Sequence, residues 1–178
     1  MCAAHLPLGP KPIVQIGRRA RILIASQAPG RRAHATGVPF ADRAGDTLRH
    51  WLGLKRDTFY DAEVVAILPI GLCYPGRGPG GDLPPRPECA PRWHERLRAL
   101  MPDVRLTLVL GRHAQAHHLA ARFRPTLSET VAAFRAYLPD YFPLPHPSPR
   151  NRPWLLRHPW FERDVLPALR AEFARALA

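Results

Sequence analysis

His146 sits in the run Leu144-Pro145-His146-Pro147-Ser148-Pro149-Arg150-Asn151, where three prolines in five positions fix the backbone on both sides of it. An imidazole presented so rigidly suits an electrostatic role. A single histidine beside a strand end is more often part of the packing, but the flanking prolines and the nearby Arg150 and Arg152 narrow that gap. A second stretch, Gln27-Ala28-Pro29-Gly30, follows an apolar run and leads through the basic pair Arg31 and Arg32 to Gly37-Val38-Pro39-Phe40. Small residues there let backbone N–H groups approach a ligand, and Phe40, held by Pro39, offers a flat face to a planar ring; the plainer alternative is a loop with a core phenylalanine. A third set is Cys2, Cys73 and Cys89, the last two sixteen positions apart. They are free thiols or metal ligands, and a zinc site on Cys73, Cys89 and a histidine is disfavoured because no C-x-x-C pair is present. His113 and His117 have the i, i+4 spacing of helical ligands, yet no acidic partner follows, so they read as histidines on a surface helix.

The elements that must position these residues are short. Four apolar runs, Arg21 to Ser26, Val64 to Leu68, Arg105 to Leu110 and Tyr141 to Leu144, have the length of buried strands, and each ends in a Gly, Pro or His-Pro break. Pro143 marks the fourth as the edge or shortest strand. Helical patterns lie between them. Asp46 to Leu52 closes on Gly53; Pro91 stands where a first helical position tolerates it; Thr126 with Glu129 fits a capping box; a last helix runs from about Pro159 toward Leu177, with Pro167 as an expected kink. Strands alternating with helices predict an α/β fold with a mostly parallel four-stranded sheet covered on both faces, its ligand site beyond the carboxyl ends of the strands. The segment 74–91, rich in Gly and Pro, reads as one long loop.

At 178 residues and 46% hydrophobic content the chain suits a single domain, 1–178, with a real core. Its net charge is +12, and all but two of its 26 basic side chains are arginine, the exceptions being Lys11 and Lys55. Such an excess points to a polyanionic partner, against the alternative of a merely basic surface. No run approaches the length of a membrane span, and Pro7, Pro10 and Pro12 interrupt any secretory core, so a cytoplasmic monomer is the expectation.

Taken together, QAPG at 27–30, GVPF at 37–40, Ala44-Gly45 with Leu48, and HPSP at 146–149 resemble the uracil-DNA glycosylase superfamily. The resemblance covers almost the whole chain in the expected order. It is nearest to the branch known as family 4, which carries a four-iron four-sulfur cluster and whose first motif reads GEAPG followed by G-x-PF. Within the superfamily the chain looks like a bacterial group marked by QAPG, CYPG and HPSPRN. The resemblance implies a three-layer α/β/α fold and hydrolysis of the N-glycosidic bond of a deaminated base in DNA, uracil first. It implies that Phe40 stacks on a flipped base and that His146 donates to the base oxygen. Gln27, Ala28, Pro29 and Gly30 would line base and sugar. Pro147, Ser148 and Pro149 would press on the phosphates, with Arg150, Asn151 and Arg152 beside the opened helix.

Three departures bear on the chemistry. Ala28 replaces the Asp with which the best-known members position water, as it also does in the cluster-bearing branch, so Asp42 or Asp46 is the expected substitute, although Asp46 equally suits a helix cap. Pro69 stands where family 4 has an Asn that reads uracil. Cys73 and Cys89 match the last two cluster ligands of that branch, but of its first pair only Cys2 is present. Either a ligand lies upstream of Met1, or His5 fills in, or there is no cluster. An enzyme without a Lys nucleophile is one reading; a scaffold that binds damaged or single-stranded DNA without efficient catalysis is the second, and a hydrolase of free nucleosides the third.

Overall fold

The computed structural model of the chain describes residues 2–178. Six strands occur in chain order: β1 (Ile22–Ala25), β2 (Val65–Ile67), β3 (Arg77–Gly78), β4 (Gly81–Asp82), β5 (Leu106–Leu110) and β6 (Tyr141–Leu144). The helices are α1 (Arg31–Thr36), α2 (Arg43–Leu52), α3 (Arg56–Tyr60), α4 (Cys89–Arg98), α5 (Gly111–Leu119), α6 (Leu127–Ala132), α7 (Arg152–Arg157) and α8 (Leu166–Leu177).

Four strands form one sheet in the order β2-β1-β5-β6, and all three pairings are parallel. Ile22 lies between Val65 and Leu106, and Thr107 faces Tyr141. The central strands are buried on both faces, which is why they read as unbroken apolar runs. Alternate residues serve different layers. Ile22, Ile24, Leu106, Leu108 and Leu110 pack with Leu48, Trp51 and Leu52 of α2 and Leu169 and Phe173 of α8. Leu23 and Ala66 point the other way, toward Cys89 and Met101, while Ala25 and Val109 meet Ala90 of α4 and Ala114 of α5. The result is the three-layer α/β arrangement that the motifs imply. Pro143 lies on β6, an edge strand with one neighbour, where a missing N–H costs no second ladder. The capping box is formed: Glu129 N–H donates to Thr126 Oγ1 at 3.1 Å and Thr126 N–H to Glu129 Oε2 at 3.0 Å. Among the described residues no helix is long and apolar enough to cross a membrane.

Two expectations need correction. The segment 74–91 is not one loop, since it contains the antiparallel pair β3–β4 and the start of α4. Two-residue strands between glycines carry no periodicity to read. The helix expected from Asp46 begins at Arg43, because Asp42 is its N-cap. The last helical run bears out its expected extent: it is unbroken from Trp160 to Leu177, with Pro167 inside it directly after a π-helical turn at Phe161–Val165, an irregularity that suits a residue with no N–H to donate.

A candidate active site at the carboxyl ends of the sheet

Because the four strands are parallel, the segments that follow them gather at one edge. There they enclose a cleft of about 680 Å3 lined by Gln27 to Gly30, Phe40, Asp42, Pro69, Asp82, His146 and Ser148 to Asn151.

Phe40 is held in a left-handed conformation, φ 52°, which a bulky residue adopts only under constraint. The constraint is visible. Tyr60 Oη lies 3.0 Å from the carbonyl oxygens of both Pro39 and Phe40, to which it donates, and Arg49 Nη1 donates to Tyr60 Oη at 3.3 Å. The buried Arg49 is neutralised by Asp46. Asp46, expected as a possible water-orienting acid, therefore does not line the cleft; its carboxylate is committed to Arg49 three residues on, and it supports Phe40 at second hand.

Asp42 does line the cleft. One oxygen caps α2, accepting from Gly45 N–H at 3.1 Å. The other faces Gly30: a Cβ placed on that glycine would lie 3.9 Å from Asp42 Oδ2 and 3.6 Å from Asp82 Oδ2. Two carboxylates thus converge on the bare backbone that ends QAPG. Asp82 was not foreseen. It sits on β4, and its only sequence signal is being one of two acids, with Glu88, in a Gly/Pro-rich segment.

The β3–β4 hairpin is tied over this edge by two residues expected to touch substrate. Gln27 Nε2 donates to Leu83 O at 3.0 Å, and Arg150 Nη1 to Gly80 O at 3.1 Å. Replacing Arg150 with alanine removes one exposed hydrogen bond, about 0.5–1.5 kcal/mol. Hydrogen exchange at Gly81 to Leu83 is expected to speed up several-fold while the strands of the main sheet stay protected.

His146 stands across the cleft. Ser148 N–H donates to its Nδ1 at 3.2 Å, so in the neutral ring the proton is on Nε2. Burial pushes the ring below the ordinary histidine value of 6.5, opposed in part by the Asp42 carboxylate. His146 is therefore a neutral N–H donor at physiological pH. The backbone behind it is fixed: Asn151 Nδ2 donates to His146 O at 2.6 Å, and buried Gln115 Nε2 donates to Leu144 O at 2.8 Å. A folded value lowered below 6.5 means that the unfolded state binds more protons as pH falls. The stability that neutral His146 contributes is full above 6.5 and is lost as pH drops toward its folded value. Any activity that depends on neutral His146 is expected to stay flat from about pH 8 to 6.5 and to fall only at lower pH, which a ring NMR titration beside the rate profile checks.

The remaining expected residues divide clearly. Pro29 and Pro147 are buried, so Pro147 cannot press on a phosphate in this conformation. Pro149 and Arg150 are exposed at the mouth with Arg32 and Arg43; Arg152 is exposed but outside the cleft lining. Asn151 lines the cleft with its amide turned to His146. Pro69 is there too, without a polar side chain, and its carbonyl accepts from His94 Nε2 at 2.9 Å. Lys11 donates to His34 O, and no lysine lines the cleft among the described residues.

With this geometry fixed, comparison with known proteins is decisive at the family level. The profile of the Uracil DNA glycosylase superfamily matches residues 14–170. The chain belongs to that superfamily. The fold is also similar to a solution NMR structure from Methanosarcina acetivorans, a protein whose own assignment as a uracil DNA glycosylase is provisional. The TM-score is 0.53 and the identity 16%, with 93% of this chain and 96% of the other covered. That likeness supports the architecture alone.

The three cysteines are free. Burial pushes the Cys73 and Cys89 thiols upward, and charge on Cys2 would push each further, which places the three in one electrostatic neighbourhood. Leu72 N–H donates to Cys89 Sγ at 3.3 Å, as N–H groups do around sulfur-ligated centres. His5 is close enough to lower Glu88, the residue before Cys89.

Proposed function

We propose that this superfamily member is a monofunctional DNA glycosylase that hydrolyses the N-glycosidic bond of a deaminated base, uracil first. The observation that carries this reading is the pairing, across one cleft, of a neutral Nε2–H donor on His146 with the strained platform of Phe40. A flipped base stacked on Phe40 would leave as an anion, and a fixed donor aimed at its oxygen stabilises charge that exists only as the bond breaks. Asp42 Oδ2 and Asp82 Oδ2 converge near Gly30, where a water attacking the sugar would be oriented despite Ala28. With no lysine in the lining, water rather than a Schiff base completes the reaction. Arg32, Arg43 and Arg150 at the mouth would take phosphates.

Cys2, Cys73 and Cys89, with His5 as a further donor, are of the ligand types an iron-sulfur cluster takes, and such a cluster would cross-link the N-terminal turn to the start of α4. Iron content and visible absorption after reconstitution, compared between wild type and Cys73→Ser, test this; no iron uptake would overturn it.

Ala28 and Pro69 favour a second reading, a scaffold that binds damaged or single-stranded DNA without base loss. The two separate in an assay on single- and double-stranded oligonucleotides carrying uracil, hypoxanthine, xanthine or no lesion. Base loss from a lesion strand supports the enzyme. Binding that weakens with salt, and no base loss from any strand, supports the scaffold.

A further inference from the structure

The sequence presents His113 and His117 as a helical pair, but the fold assembles a different set. His94 of α4 meets the consecutive His117 and His118 near the end of α5, and one ring nitrogen from each lies within 4.8 Å of the other two. The ring centroids are 5.3 Å apart for His94–His117 and 4.9 Å for His117–His118. None of the three lines the cleft.

Ring nitrogens of His94 and His118 are left free to bind an ion. His94 Nε2 lies 2.9 Å from Pro69 O, which only accepts, so Nε2 carries the proton and Nδ1 keeps its lone pair. A ring N–H donated to a backbone carbonyl is the usual way a metal-bound histidine is oriented. His118 Nε2 is buried and has no hydrogen-bond partner. His117 is exposed and leaves a path for entry. We propose that His94, His117 and His118 form a mononuclear site for a late first-row divalent cation, zinc in the first instance, with the fourth position open to water or an anion.

Imidazole is the ligand type these cations share, and the trio has no carboxylate that would favour calcium or magnesium. Binding would draw the three nitrogens in from within 4.8 Å of one another to Zn–N bonds of about 2.0–2.1 Å. Arg98, which acts on His118 as a positive charge, would favour an anionic fourth ligand. Tyr141 flanks His118, with ring centroids 6.2 Å apart. The site stands independently of the glycosylase reading. One link to the cleft is the hydrogen bond of His94 to the carbonyl of Pro69, a residue of its lining.

The test uses the full chain, stripped with a chelator and then titrated with Zn2+ or Co2+. Metal content is measured after gel filtration, with the cobalt visible spectrum as a second readout. The expected result is about one equivalent bound by the wild type and by a Cys73→Ser/Cys89→Ser variant, with the nitrogen-ligated spectrum of a low-coordinate cobalt site. His117→Ala, at an exposed position that leaves packing intact, is expected to weaken binding at least about tenfold, and His94→Ala/His118→Ala to abolish it. No uptake by the wild type would overturn the proposal. So would equal affinity in His117→Ala, or loss of metal only when the cysteines are replaced.

Discussion

Replacing His146 with alanine is expected to slow base release about 10²- to 10³-fold, the usual cost of removing one preorganised donor to a developing anion. The expectation follows from a specific tautomer. Ser148 N–H occupies Nδ1, which leaves Nε2–H as the donor, and burial keeps the ring uncharged. A neutral donor stabilises the departing base without first surrendering a proton, so its effect is concentrated in the transition state. Affinity for DNA should change only a few-fold, because the exposed Arg32, Arg43 and Arg150 remain. Single-turnover excision with a separate binding titration distinguishes the two quantities. A loss of binding with an unchanged rate in the bound state would remove His146 from the chemistry.

The second large effect is expected at a residue that touches no substrate. Gly45, in the first turn of α2, has no room for a side chain: a Cβ there would fall 1.9 Å from Phe40 O and 2.9 Å from Phe40 Cβ. The carbonyl cannot simply yield, since Tyr60 holds it under Arg49 and Asp46. Gly45→Ala must therefore push Phe40 out of its left-handed conformation. Base–aromatic stacking is worth about 1–3 kcal/mol, so the loss in kcat/KM should be roughly five- to 150-fold and should match that of Phe40→Ala. Because both changes remove the same platform, the double variant is expected to be no worse than either single one. Additive losses would show that Gly45 serves the core rather than Phe40.

These effects depend on contacts that differ in how far the sequence shows them. The β-sheet was legible because buried parallel strands are unbroken apolar runs ending in breakers, and the strand ends mark where a ligand binds. His146 and Phe40 were legible because proline fixes them locally. Asp82 was not, since the β3–β4 hairpin is held by Gln27 and Arg150 from distant parts of the chain rather than by its own pattern. The choice between Asp42 and Asp46 turned on Arg49, an i, i+3 helical partner of Asp46 whose burial the spacing alone does not show. His94 and His118 were invisible as a set because they lie on different helices, α4 and α5, that only the fold brings together.

In the proposed reaction water replaces the base on the sugar. The most direct measurement is excision from a uracil-containing oligonucleotide in ¹⁸O-enriched water, with free base and abasic strand both analysed by mass spectrometry. Hydrolysis at the N-glycosidic bond predicts unlabelled free uracil, an intact strand and the label on the abasic sugar. DNA held in a salt-sensitive complex with no free uracil, hypoxanthine or xanthine released from matched substrates would contradict it.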